Sequence, residues 1–112
     1  MSELLDDRDV IRVERLSDGV QARVHFAVGG SMPLPHQMRH GPTGFEYGYS
    51  GSGPADLALS ILRVAVEPER ADRWYQAFKW DRIAPETGDS WSIKVGTVRE
   101  WVEHMERFAE GT

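Results

Sequence analysis

The sequence predicts an α+β fold: a small sheet with an N-terminal β-hairpin and a central apolar helix packed on it. Three patterns carry this expectation. Val20, Ala22, Val24, Phe26 and Val28 alternate with Gln21, Arg23, His25 and Ala27, the period of a strand with one buried and one wet face. Leu57, Leu59, Ile61, Leu62, Val64, Ala65 and Val66 make a later segment apolar nearly all round, which marks a helix enclosed by its neighbours. Val98, Trp101, Val102, Met105 and Phe108 recur at helical spacing, so they share one face. With 112 residues, one domain is the natural division, in the order β-β-(β)-α-α-β-α.

Residues 1–9 read as a frayed start, with an acidic Met1-Ser2-Glu3-Leu4-Leu5-Asp6-Asp7 where a secretion signal would be basic and then apolar. Val10 to Leu16 is the first strand. Asp18-Gly19 supplies a hairpin turn that needs positive φ, and Val20 to Val28 returns until Gly29-Gly30. Ser31 to Gly53 shows no periodicity, although Phe45 to Tyr49 could form a short third strand. The first helix begins near Gly53, with Pro54 at its first position and Asp56 favoured by the positive helix end. It is expected to be the most buried helix and to pack on the face of Val20, Ala22, Val24 and Phe26. Pro68 opens a second helix that runs to about Ile83, with Trp74, Tyr75 and Phe78 inward. Pro85 to Asp89 is a turn cluster, and Trp91, Ile93 and Val95 alternate as a strand. Thr97-x-x-Glu100 reads as a capping box before the last helix.

Bulk chemistry narrows the function classes. Hydrophobic residues make up 40 % and charged residues 28 %, a folded composition. The chain has no cysteine, which excludes disulfides, thiolate metal ligands and a thiol nucleophile, and fits a cytoplasmic protein. No apolar run approaches the roughly 18 residues of a membrane span. The net charge of −5 argues against a nucleic-acid partner, since neutralising phosphates takes basic side chains. No cofactor motif is present. The glycine-rich stretch lacks the lysine of a phosphate-binding P-loop and has no βαβ unit around it.

The distinctive stretch is Gly41-Pro42-Thr43-Gly44-Phe45-Glu46-Tyr47-Gly48-Tyr49-Ser50-Gly51-Ser52-Gly53-Pro54-Ala55-Asp56-Leu57-Ala58-Leu59. With Tyr75-Gln76-Ala77-Phe78-Lys79 and Trp91, it resembles the family catalogued as domain of unknown function 6166 over about residues 41 to 108. The pattern departs at Tyr47, where tryptophan is more frequent, and at Gly41, where serine is usual. The resemblance implies a small protein of the kind encoded by bacteria, archaea, phages and plasmids. It implies no activity.

Two readings of this loop stand side by side. Gly44, Gly48, Gly51 and Gly53 permit unusual backbone, the amides at the helix start are free for an anion, and Ser50 and Ser52 add hydroxyls. Phe45, Tyr47 and Tyr49 add an aromatic face beside Glu46. This describes a small anion- or nucleotide-binding domain, or an enzyme, built on residues 44–56. Alternatively, Ser52, Gly53 and Pro54 cap a buried helix, the aromatics pack the core, and Gly51 and Gly53 serve backbone conformation. His36-x-x-x-His40 has metal-compatible spacing, but Pro33 and Pro35 disfavour a helix there and no metal is expected. His25 and His104 fall on polar faces. Trp80 lies two positions after Phe78 and cannot share its helical face, so it is expected outside, on a partner or dimer surface. No Ser-His-Asp order is framed by a nucleophile elbow. The favoured expectation is a non-enzymatic protein-binding accessory protein of a mobile element, a modulator or inhibitor of a host or defence protein. Its candidate contact residues are Phe45, Glu46, Tyr47, Tyr49, Ser50, Gly51, Ser52, Gly53 and Trp80, and a homodimer is allowed.

Overall fold

The computed structural model describes residues 4–40 and 44–110. Of the family motif, Gly41, Pro42 and Thr43 therefore lie outside the described residues. Strands β1 (Val10–Leu16), β2 (Gly19–His25), β3 (Ser31–Pro33) and β4 (Ser90–Lys94) form one antiparallel sheet in the order β3-β2-β1-β4. Helices α1 (Ser52–Ala65), α2 (Pro68–Phe78) and α3 (Val95–Glu110) complete the α+β fold. None of the described helices is long and apolar enough to cross a membrane.

The two-residue period of the hairpin decides which sheet face is buried. Register sets Ile11 opposite Val24 and Val13 opposite Ala22. All four are buried in one core with Leu57, Leu59, Ile61 and Leu62 of α1. Val20 and Phe26 are half-buried at its margin. Every α1 residue from Gly53 to Leu62 is buried, as an all-round apolar helix requires. Each fully buried leucine or isoleucine contributes about 1.5–3 kcal/mol relative to an exposed one.

Four local expectations shift. β2 ends at His25, not Val28, because Gly29 and Gly30 adopt φ of 108° and 86° and turn the chain. The Phe26 amide then donates to the Gly30 carbonyl, and Val28 is left 90 % exposed at the turn. The third strand is consequently Ser31–Pro33 against β2. Phe45 to Tyr47 alternate in burial but pair with no strand. At α3, Thr97 is no cap: the helix begins at Val95, directly out of β4. Its first amides, Val95 and Gly96, donate to the Asp9 and Asp7 carbonyls, which satisfies donors a helix start leaves open. Phe108 does not join the buried stripe of Val98, Trp101 and Val102; it is 68 % exposed on the last turn.

The segment before β1, read as frayed, is bonded into the fold from Leu5 onward. The Leu5 amide donates to the Val64 carbonyl. Asp9 is buried and its carboxylate accepts from the Ala27 and Asp6 amides at 2.8 and 2.9 Å. Arg99 of α3 reaches back to the Leu5 carbonyl and the Asp7 carboxylate.

Candidate functional site

The glycine-rich loop approaches α1 from the sheet side, and its residues divide by what they touch. Phe45 is buried, with its ring 4.1 Å from that of His36. The Glu46 carboxylate accepts two hydrogen bonds from the Arg15 guanidinium, at 2.9 and 3.3 Å. Glu46 raises the already high pKa of Arg15 by this bonding, so the guanidinium stays charged. Tyr47 is 2 % exposed; its hydroxyl donates to the Gly88 carbonyl at 2.7 Å and its ring meets Trp91 edge-on. Tyr49, Ser50 and Ser52 face outward.

The glycines have distinct reasons. Gly48 has φ of 88° and a Cβ there would stand 3.2 Å from the Glu86 carbonyl, so both conformation and space favour glycine. Gly51 precedes α1 in extended backbone at φ −178°, which any residue adopts. Gly53 has no positive φ. Its role is close approach: a Cβ there would meet Glu46 Cβ at 2.8 Å and the Gly44 carbonyl at 3.0 Å. The expectation that Gly51 and Gly53 serve backbone conformation is thus replaced by a packing requirement at Gly53. α1 starts at Ser52, so Pro54 is its third residue and not its first, and no side chain caps the helix.

Four of the candidate residues, Phe45, Glu46, Tyr49 and Ser52, line one surface groove of about 470 Å³ with Asp18, Gly19 and Val20 of the β1–β2 turn. Asp18 and Glu46 bring carboxylates to it, and the cation beside it, Arg15, is already committed to Glu46. Tyr47 lies outside the groove, in the core. Trp80 belongs to a different feature, a π-helical turn over Lys79–Ile83 at the end of α2.

A model of a family of unknown function, DUF6166, matches residues 12–104. The chain belongs to that family. No curated protein and no solved structure matches it. The DUF6166 match reaches well upstream of the loop motif and takes in the β1–β2 hairpin against which the loop packs.

One part of this DUF6166 chain was not visible as a unit in its sequence. Asp56 and Ser60 stand four apart on α1 and so share a helical face. Both are fully buried. Asp56 Oδ1 accepts from the Arg39 and His40 amides at 3.1 and 3.0 Å, and Ser60 Oγ accepts from the Gln37 amide at 2.8 Å. Together they hold residues 37–40 against α1. Asp56 therefore anchors a segment and does not serve the helix end. The signal was there: two polar residues at i and i+4 within the apolar run of α1. His36 Nε2 stands 3.8 Å from Asp56 Oδ2, whereas His40 Nε2 pairs with the Tyr75 hydroxyl at 2.6 Å. The two imidazoles thus serve different neighbours. Among the described residues no group of three or more His, Cys, Asp or Glu side chains is arranged to hold a metal ion.

Trp80 is 62 % exposed, with the Lys79 ammonium 4.9 Å from its ring centre. The π-helical turn closes with the Ala84 amide donating to the Lys79 carbonyl at 2.8 Å. Phe78, Lys79 and Ile83 turn inward from it. Asp81 is pinned to α3 by accepting from Trp101 Nε1 at 2.7 Å. The turn that displays Trp80 is therefore anchored on both sides.

Proposed function

We propose that this protein is a non-enzymatic protein-binding module whose partner packs on the surface around Trp80. The observation that carries the reading is the outward Trp80 on an anchored π-helical turn. A tryptophan is a costly residue to leave in water, and tryptophans dominate the energetic centres of protein interfaces. A π-helical turn within a helix is also an irregularity that recurs at functional positions. The Lys79 ammonium beside the ring adds a cation–π contact that strengthens as a partner excludes water from the ring. The mobile-element and cytoplasmic setting, and a role in modulating a host or defence protein, extend this proposal on the family resemblance and the cysteine-free composition alone.

The alternative use of the glycine loop, for an anion, a nucleotide or catalysis, has the groove at Tyr49 and Ser52 in its favour. Against it stand the groove's two carboxylates, which repel an anion. Glu46 and Gly53 also have structural partners that account for them. The test compares capture by the tagged wild type and by Trp80→Ala from a lysate of the source cell, with melting curves as a control. The variant is expected to melt within about 1 °C of wild type, as exposed substitutions do, and to lose the captured protein. An identical captured set for both would sink the Trp80 reading. Thermal stabilisation by millimolar phosphate or nucleotide, lost in Ser52→Ala, would turn the assignment to the loop.

A further inference from the structure

The sheet has two edges, and they differ. Native sheets blunt their edges with short strands, prolines or bulges, because a row of free amides and carbonyls recruits another strand. β3 has three residues and ends in Pro33, which lacks an amide. β4 has five residues, contains no proline and pairs only with β1. The Arg15 amide donates to the Asp89 carbonyl and the Val95 amide to the Asp9 carbonyl. These contacts bracket the Val13–Trp91 and Ile11–Ile93 pairs in the register. Hydrogen-bonded pairs alternate along an antiparallel ladder, so Trp91 and Ile93 face β1 with their main chain. Ser90, Ser92 and the Lys94 amide direct theirs outward. Among the described residues, no main-chain group pairs with that outer edge. A groove of about 240 Å³ follows residues 91–94 there, walled by Arg82, Glu86 and Thr97.

We propose that a second copy of this chain occupies this edge, the two β4 strands pairing antiparallel about a two-fold axis at Ser92. The sequence of β4 is self-complementary in that register. Ser92 exchanges main-chain hydrogen bonds with the partner's Ser92, and the Lys94 amide meets the partner's Ser90 carbonyl. On the helix side, half-buried Trp91 lies against the partner's Ile93, and half-buried Ile93 against the partner's Trp91. On the other face Lys94 lies beside the partner's Ser90, so no like charges are directly opposed, which is the condition cross-strand pairs set. Arg82 and Glu86 on the groove wall have opposite sign, so the wall does not present a single sign of charge to the other copy. The result is one continuous sheet of both copies. A five-residue strand pair buries less than the roughly 800 Å² per partner of a standard interface, so a weak, concentration-dependent association is expected.

Sedimentation of the tag-free protein from about 5 to about 500 μM brackets that strength. The average mass is expected to rise from the 12.7 kDa of one chain towards twice that value. Ser92→Pro should stay monomeric throughout, and its fold should survive because proline is tolerated where an edge amide faces solvent. If that variant does not fold, Ser92→Lys decides, since it sets two ammonium groups against each other across the axis. The chain has no cysteine, so Ser92→Cys gives an unambiguous cross-link. Paired Cα atoms about 5.5 Å apart lie within disulfide reach. Cross-linking should be at least tenfold faster than for Ser31→Cys on the other edge. A monomer at every concentration overturns the proposal. So does a dimer that Ser92→Pro or Ser92→Lys leaves intact, or equal cross-linking from both edges.

Discussion

Gly51 and Gly53 flank Ser52, yet an added side chain at each meets different obstacles. At Gly51 it would touch only the Tyr49 ring, 2.8 Å away at the end of an exposed side chain that can swing. At Gly53 it would meet the Glu46 stem and the Gly44 carbonyl, which is main chain. Gly53→Val is therefore expected to cost about 2–3 kcal/mol, as overpacking does, and Gly51→Ala less than about 1 kcal/mol. Urea denaturation of the two variants measures both. Equal costs would mean that the loop is not pressed against α1 at Gly53. Glycine count in the sequence marked the loop as special. It did not separate these two positions, because the obstacle to Gly53 comes from residues seven and nine places earlier.

Between elements, ion pairs tie the helices to one another. Arg63 of α1 donates to Asp72 of α2 at 2.8 and 3.1 Å, and Arg70 of α2 donates to Glu106 of α3 at 2.8 and 2.7 Å. The Arg63 hydrogen bonds hold the Asp72 carboxyl below its usual range, and those of Arg70 do the same for Glu106. A carboxyl depressed in the folded state stabilises the fold fully above its unfolded pKa, about 3.9 for Asp and 4.3 for Glu. That contribution is lost as the pH falls through the lower, folded value. Arg70→Ala should thus melt below wild type at pH 7, by a few tenths to about 1 kcal/mol for a partly exposed pair. The gap should narrow between pH 4 and pH 2. A gap independent of pH would assign the loss to packing of the arginine stem.

The strands and helices themselves were legible in the sequence where a period repeats: Val10 to Leu16, the buried α1, and the Val98–Trp101–Val102 stripe. What failed was local and depended on distant residues. Val28 continues the alternation of β2, but two glycines with positive φ bend the chain first. Phe45 and Tyr47 alternate like a strand, but their neighbours are side chains of His36 and Trp91 and not an open sheet edge. Thr97 and Glu100 have capping-box spacing, while the carbonyls that meet the start of α3 come from Asp7 and Asp9. The exposure of Trp80 was legible because two residues apart on a helix point in different directions. The Asp56–Ser60 pair is visible on α1, but what it anchors is not, because its partners are main-chain amides, which carry no sequence signature.

Across the whole molecule, the N-terminal segment acts as a clasp. Residues 5–9 contact the end of α1, the β2–β3 turn and the first turns of α3. Asp9→Ala would leave the Ala27 and Asp6 amides without their carboxylate acceptor. Losing charge-assisted bonds at a buried site costs about 2 kcal/mol, or roughly 10 °C in melting temperature for a domain near 100 residues. A thermal melt of that variant within about 2 °C of wild type would show that the clasp carries little of the stability.

The same clasp sets an order of events during synthesis. Arg99 and the Asp7 carboxylate are separated by 92 positions, so the contact can close only after α3 has been made. β4 is the last of the described strands, yet it pairs with β1, the first of them. Until Ser90–Lys94 arrives, a nascent chain therefore presents β1 as a bare main-chain edge. At about 5–20 residues per second, this interval lasts several seconds. An open edge recruits other strands, so a product truncated before residue 90 is expected to aggregate more readily than one that carries β4.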